Sequence, residues 1–283
     1  MNRTLLILAI LTAQDISSSG QQTFPILTHT LTFSELLQNT AIRDVEWTNP
    51  NGVHEKMRIT EMAIPIDQKM MELTKDFVAS NYGLNSIWLH PRVIVFHAMG
   101  DGDLKTSLEV SSFLNDQIPK SWGNLYQAGR LPNGAHFIID KDGTIICLTP
   151  PVSSDESQIS YKRNNHKWIV KRHQDGNPVA IGIENVTDQG NFTVLTDKQM
   201  ESNAQLARWL IWMENNKIDY LTSHHQFNDD VNYGFFLKAF KLENLQPQYR
   251  TRGRKDIGDS NIREIIGKVN RYGYSVHSFF ELK

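Results

Sequence analysis

Along most of the chain apolar and polar residues interleave, and the exceptions mark the elements. Val93-Ile-Val-Phe96 is a short unbroken apolar run, as in a strand buried on both faces, and it stops at His97. His136-Phe-Ile-Ile139 runs into Asp140-Lys-Asp-Gly143, and Thr144-Ile-Ile-Cys-Leu148 returns, which predicts a β-hairpin. Residues Val179 to Val186 predict another strand, interrupted at Gly182, and Tyr220-Leu-Thr222 a short one ending at His224-His225. Helical spacing places Met70, Leu73, Phe77 and Val78 near one face of a helix over 67–79, closed by Asn81-Tyr-Gly83. Thr196-Asp-Lys-Gln199 is a capping box that opens a helix to about Asn215, with Met200, Leu206, Trp209, Leu210 and Met213 mostly on one side. Two further helices are predicted over 104–114 and about 261–269, and 117–134 is rich in breakers.

Near the N-terminus the pattern is weaker. Thr32-Phe-Ser34 marks the start of a short helix over 35–38. Asn49-Pro-Asn-Gly52 separates Val45-Glu-Trp47 from 56–60, a turn between two hairpin strands. These residues predict an N-terminal extension of 23–84 that ends in the leading helix. Beyond it strands and helices alternate without repeats, so an α/β sheet with its chemistry at the strand ends is the simplest architecture.

Composition narrows the function. A chain of 283 residues suits one large domain, or one domain with an extension. Net charge of −2 gives no electrostatic footprint for nucleic acid. Arg3, the apolar stretch from Leu5 to Ala13 and the polar stretch to Gln22 read as a secretory signal over 1–22. The stretch is well short of the roughly 20 residues that span a bilayer. The expectation is an exported protein, periplasmic or extracellular, without stable membrane insertion. Cys147 is the only cysteine, which excludes an intrachain disulfide framework, and it reads as a buried, inert thiol rather than a nucleophile.

Two apolar strands ending in histidine, near His97 and His224, are the candidate chemistry. Histidine is the commonest metal ligand, although a hydrogen-bonded histidine closing a strand has the same sequence signature. Five blocks occur in order: V-I-V-F-H97, A-H136-F-I-I-D-K-D-G-T, A-I-G-I-E184-N, L-T-S-H224-H and R-K255-D256-I-G. Together they resemble the zinc-dependent N-acetylmuramoyl-L-alanine amidases of the type 2 amidase and peptidoglycan recognition protein superfamily, over roughly 85–270. The resemblance implies a mixed central sheet flanked by helices, a zinc groove at the strand ends and a catalytic domain over 85–283. By position, His97, His224 and Asp256 match the zinc ligands, and Glu184 matches the general base. His225 and His136 are rivals as ligands, and His225 faces the opposite side if the strand continues that far.

The ligand types suit the metal. A catalytic zinc keeps three protein ligands and a fourth position for water. Two departures stand out. Ala135 occupies the place where some relatives carry a tyrosine, which leaves the acid–base role to Glu184. Arg254 stands where the K-x-D-P-G pattern has lysine, with Lys255 adjacent to Asp256, so either cation is a candidate for stabilising the oxyanion. His173 and His136 are candidate substrate contacts, and Phe235, Phe236, Phe240 and Tyr249 line a groove or form local core. The resemblance implies hydrolysis of the amide between N-acetylmuramic acid and L-alanine, with peptidoglycan or muropeptides as partners. The alternatives are a non-catalytic peptidoglycan-binding module of the same fold and a zinc peptidase acting within the stem.

Overall fold

The computed structural model describes residues 7–8, 30–31, 41–61, 68–99, 135–156, 158–171, 178–187, 194–227, 230–241 and 257–278. Ile7–Leu8 (β1) and Thr30–Leu31 (β2) form a separate antiparallel ladder. The long hairpin Ala41–Thr48 (β3) and His54–Glu61 (β4) follows, paired in register from Ala41 opposite Glu61 to Thr48 opposite His54. Its alternation is the period-2 signature of a sheet with one covered face: Val45, Trp47, Met57 and Ile59 are buried while their neighbours face solvent.

The leading helix is Gln68–Tyr82 (α1), which runs three residues past the end its apolar face predicts, and Gly83 ends it at φ 65°. Then come Trp88–Leu89 (β5), Val93–Met99 (β6), Phe137–Ile139 (β7), Ile145–Cys147 (β8), Trp168–Ile169 (β9) and Ala180–Val186 (β10). The predicted hairpin is β7–β8. Its turn depends on Gly143 at φ 87°, where a side chain would meet Ser202 Oγ at 2.9 Å and the Lys198 carbonyl at 3.1 Å. Helix Asp197–Met213 (α2) carries the predicted capping box with both reciprocal bonds made. Tyr220–Ser223 (β11), a 3₁₀ turn over His224–Phe227, Asp230–Ala239 (α3), Asp259–Asn270 (α4) and His277–Ser278 (β12) complete the described chain.

Eight strands form one mixed sheet in the order β12-β11-β6-β10-β7-β8-β4-β3, and β5 pairs with β9 outside it. The four central neighbours β11, β6, β10 and β7 are parallel. Parallel strands are covered on both faces, which explains why Val93 to Phe96 reads as continuous apolar sequence. Helices α2 and α4 pack against each other and against the sheet.

Two sequence expectations change. The strand does not stop at His97 but continues to Met99, because His97 to Met99 keep register partners Glu184 to Val186 on β10. Gly182 does not interrupt β10: it lies opposite Val95 on one side and exchanges hydrogen bonds with His136 on the other. The sheet also extends into the N-terminal extension, since β4 pairs in parallel with β8 through Thr60–Ile146 and Glu61–Cys147. The signal-like segment apart from Ile7–Leu8, the helices expected over 35–38 and 104–114, and the 117–134 loop lie outside the described residues.

Candidate metal centre and active site

The site is built on the C-terminal ends of neighbouring parallel strands. Glu184 on β10 is directly opposite His97 on β6. Residues in register on adjacent strands project to the same face, so these two side chains share one face of the sheet. On the other flank of β6, Ser223 of β11 is opposite Phe96, and the chain leaves the sheet one residue later at His224. Adjacent strands lie about 4.8 Å apart, which sets the scale of this row.

His97 and His224 are 4% and 1% exposed, and their ring centres are 5.2 Å apart with an interplanar angle of 73°. Two imidazoles that share one tetrahedral zinc through a nitrogen at about 2.0–2.1 Å place their ring centres about 5 Å apart. The pair therefore fits two ligands of such a metal, and imidazole is a donor zinc accepts readily. Among the described residues, no three His, Cys, Asp or Glu side chains form a group that could hold a metal ion. Asp256, the expected third ligand, is outside them, as are Arg254, Lys255 and His173.

The two rival histidines separate cleanly. His225 is exposed next to buried His224. The strand does not continue to position 225; the 3₁₀ turn that starts at His224 divides the pair. His136 is fully buried, with its ring edge-on to Trp168 at 6.0 Å. Its Nδ1 accepts the Gly182 N–H at 3.2 Å, so the other nitrogen carries the proton, and Nε2 donates to the Ile169 carbonyl at 3.1 Å. Ahead of the β7–β10 ladder the Gly182 N–H needs a partner, and the ring supplies it. With both nitrogens spent on backbone, His136 is a structural histidine, which corrects its reading as a ligand or substrate contact.

Glu184 is the half-buried residue in a strand whose other members are buried. Phe236 is fully buried and packs on Phe240 at 4.9 Å, while Phe240 also meets Tyr220 at 5.9 Å. These two belong to the core; the Phe235 side chain and Tyr249 lie outside the described residues. Cys147 is fully buried and desolvation pushes its thiol up to about 12, as expected of an inert core residue.

Sequence reasoning passed over the amide side chains behind the site. Gln199 and Asn203 are buried at helical i, i+4 spacing on α2, and Asn185 directly follows Glu184. Two amides interrupting the apolar stripe of a capped helix were the available signal.

A family model described as N-acetylmuramoyl-L-alanine amidase matches residues 88–233, more than half of the chain. The match takes in His97, His136, Glu184 and His224 and ends before Arg254, Lys255 and Asp256. No curated protein matches the chain in sequence. Among solved structures, it is similar to the endolysin N-acetylmuramoyl-L-alanine amidase LysCS from Clostridium intestinale URNW, at 22% identity over 66% of this chain and 93% of that one, with a TM-score of 0.36. It is also similar to the Drosophila peptidoglycan recognition protein PGRP-SA, at 14% identity over 52% of this chain and 74% of that one, TM-score 0.35. A third is the Ph2119 endolysin from Thermus scotoductus MAT2119 bacteriophage Ph2119, at 14% identity, 66% and 93% coverage and a TM-score of 0.33.

Proposed function

This chain belongs to the N-acetylmuramoyl-L-alanine amidase family, and from that premise we propose that it is a zinc hydrolase cutting the amide between N-acetylmuramic acid and the L-alanine of the peptidoglycan stem. The observation that carries the reading is the row across the strand ends, with Glu184 and His97 in register and the His224 ring 5.2 Å from that of His97. A carboxylate and an imidazole in register on neighbouring strands, with a second imidazole in the turn that follows a third, is an arrangement that folding alone does not require.

His97, His224 and Asp256 would hold the zinc. When bound, zinc supplies Lewis acidity and brings the ionisation of a water to near neutral pH. Glu184 takes a proton from the attacking water at a carboxylate oxygen and delivers it to the nitrogen of L-alanine as the C–N bond breaks. Arg254 or Lys255 stabilises the negative charge that develops on the carbonyl oxygen. Burial of His97 and His224 keeps bulk water from competing at the imidazoles. The apolar N-terminal stretch, read as a secretory signal, suits a substrate in the cell envelope.

Binding without cleavage is the second reading, and the position of Arg254 two residues before Asp256, where the family pattern has lysine, is the feature that favours it. One experiment separates the two. The chain is incubated with purified peptidoglycan, with and without chelator, and the products are identified by mass spectrometry. The expected result is free stem peptides beginning in L-alanine, lost on chelation and restored by zinc. Glu184→Gln should lower turnover by about 10²–10⁴-fold while zinc content and wall binding persist. Wall binding without stem release, from zinc-loaded protein, would establish the binding module instead, and cleavage within the stem would establish a peptidase.

A further inference from the structure

On the face of the sheet opposite His97 and Glu184, three neutral amides are almost wholly buried: Asn185 and Asn203 at 0% and Gln199 at 1% exposure. Buried amides are costly unless their donors and acceptors are used. Here they are used on each other and on strand-end backbone. Asn203 Nδ2 donates to Asn185 Oδ1 at 2.6 Å and to the Gln199 carbonyl at 2.8 Å. Asn185 Nδ2 points back to Asn203 Oδ1 at 3.4 Å and to the His97 carbonyl at 3.3 Å. Gln199 Oε1 accepts the Thr196 N–H at 3.1 Å, and its Nε2 donates to the Val186 carbonyl at 2.8 Å and the Ile139 carbonyl at 3.3 Å.

The three carbonyls gripped in this way have one thing in common. Ile139 and Val186 are the last residues of β7 and β10, and His97 lies two residues from the end of β6. These are the strand ends whose opposite face carries His97 and Glu184. Apolar side chains flank the network on α2 (Met200, Ala204 and Leu206, all buried), so the same surface could have been packed without amides. A hydrogen-bonded network fixes backbone positions more sharply than apolar packing does, because each bond is directional.

We propose that Asn185, Asn203 and Gln199 are positioning residues, a clamp that holds the His97 and Glu184 strand ends from behind and so sets the two side chains in front. The consequence for catalysis rests on the amidase reading above. The clamp itself does not, since it concerns backbone held by α2 with or without metal.

The test compares wild type, Asn203→Ala and Met213→Ala in the full chain. Met213 is equally buried but lies ten residues further along α2, about 15 Å away along the axis, and serves as a packing control. In metal-stripped protein, Asn203→Ala should accelerate amide exchange at 96–98 and 184–186 on the order of tenfold relative to the rest of the sheet, whereas Met213→Ala accelerates exchange without that focus. In competition with a chromogenic chelator, Asn203→Ala should weaken zinc affinity about 10–100-fold, with kcat falling and KM for muropeptide within about twofold. Met213→Ala should keep both zinc affinity and kcat. If Asn203→Ala does not fold, Gln199→Glu replaces it: a carboxylate keeps the oxygen that caps Thr196 and loses the two N–H donors. Exchange that is unfocused in the Asn203 or Gln199 variant, or zinc affinity no lower than in Met213→Ala, overturns the proposal. A wild-type chain that neither binds zinc nor releases stem peptides ends the amidase reading, while the exchange comparison still decides on the clamp.

Discussion

Adjacent histidines with opposite fates show how finely a site is set at the level of one residue. His224 is buried against His97, and His225 is exposed, although a single peptide bond separates them. The direct consequence is a pair of variants. His224→Ala should abolish stoichiometric zinc binding, measured by elemental analysis after dialysis, and His225→Ala should retain it; the reverse result would move the metal to the other ring. Of the four histidines in the sequence motifs, His97 and His224 were legible because each follows an apolar strand. His136 also borders an apolar strand, but at its other end. The sequence does not show that its two nitrogens are taken by the Gly182 N–H and the Ile169 carbonyl. Hydrogen bonds between residues 33 to 46 positions apart leave no local pattern.

At the scale of elements, the hairpin β7–β8 is held by its turn. Thr196 Oγ1 donates to the Lys141 carbonyl at 2.7 Å and Ser202 Oγ to the Gly143 carbonyl at 2.6 Å, so the turn is tied to the first two turns of α2. Gly143→Ala places a side chain against Ser202 and the Lys198 backbone at a positive φ, and should destabilise the protein by about 1–3 kcal/mol in denaturant titration. Elements of this kind were readable from sequence: the hairpin from its turn residues, α2 from its capping box, the central strands from unbroken apolar runs. Their ends were not. The run at Val93 to Phe96 loses its apolar character at His97, but the ladder goes on to Met99 because pairing with β10 is a backbone property that polar side chains at the groove do not interrupt. Gly182 reads as a break for the converse reason: its weak intrinsic preference for strand is overridden by partners on both sides.

For the whole molecule, the N-terminal hairpin was expected as a hairpin, but its place in the central sheet was not. It lies outside the segment matched by the family, yet its strands extend the central sheet and its side chains bind elements far along the chain. Arg208 of α2 meets Glu55 of β4 at 2.7 Å with both side chains buried, and the Arg208 guanidinium stacks 4.0 Å from the centre of the Tyr272 ring. Trp47 Nε1 donates to the Tyr274 hydroxyl at 3.2 Å, and Asn51 Nδ2 to the Arg271 carbonyl at 3.2 Å. Glu55→Ala leaves the buried Arg208 guanidinium with only the exposed Glu201 carboxylate, 3.6 Å from its Nη2, and should cost about 3 kcal/mol, while Glu55→Leu combined with Arg208→Met should recover most of it in the same unfolding experiment. A double variant no more stable than the single would show that the hairpin is held by something other than this pair. The sequence could not reveal the arrangement, since partners separated by 153 residues have no spacing rule to follow.

The common register of His97 and Glu184 also governs which changes in chain length such a site can survive. Side chains on a strand alternate between faces, so one extra residue between Val93 and His97, with pairing otherwise kept, would turn His97 away from the groove and toward α2, into the space of the amide network. Two extra residues would restore the face but shift the imidazole along the strand by about 6.6 Å, past Glu184. Divergent copies of these strands can therefore change their residues freely within apolar limits, whereas their lengths up to the groove are fixed by counting.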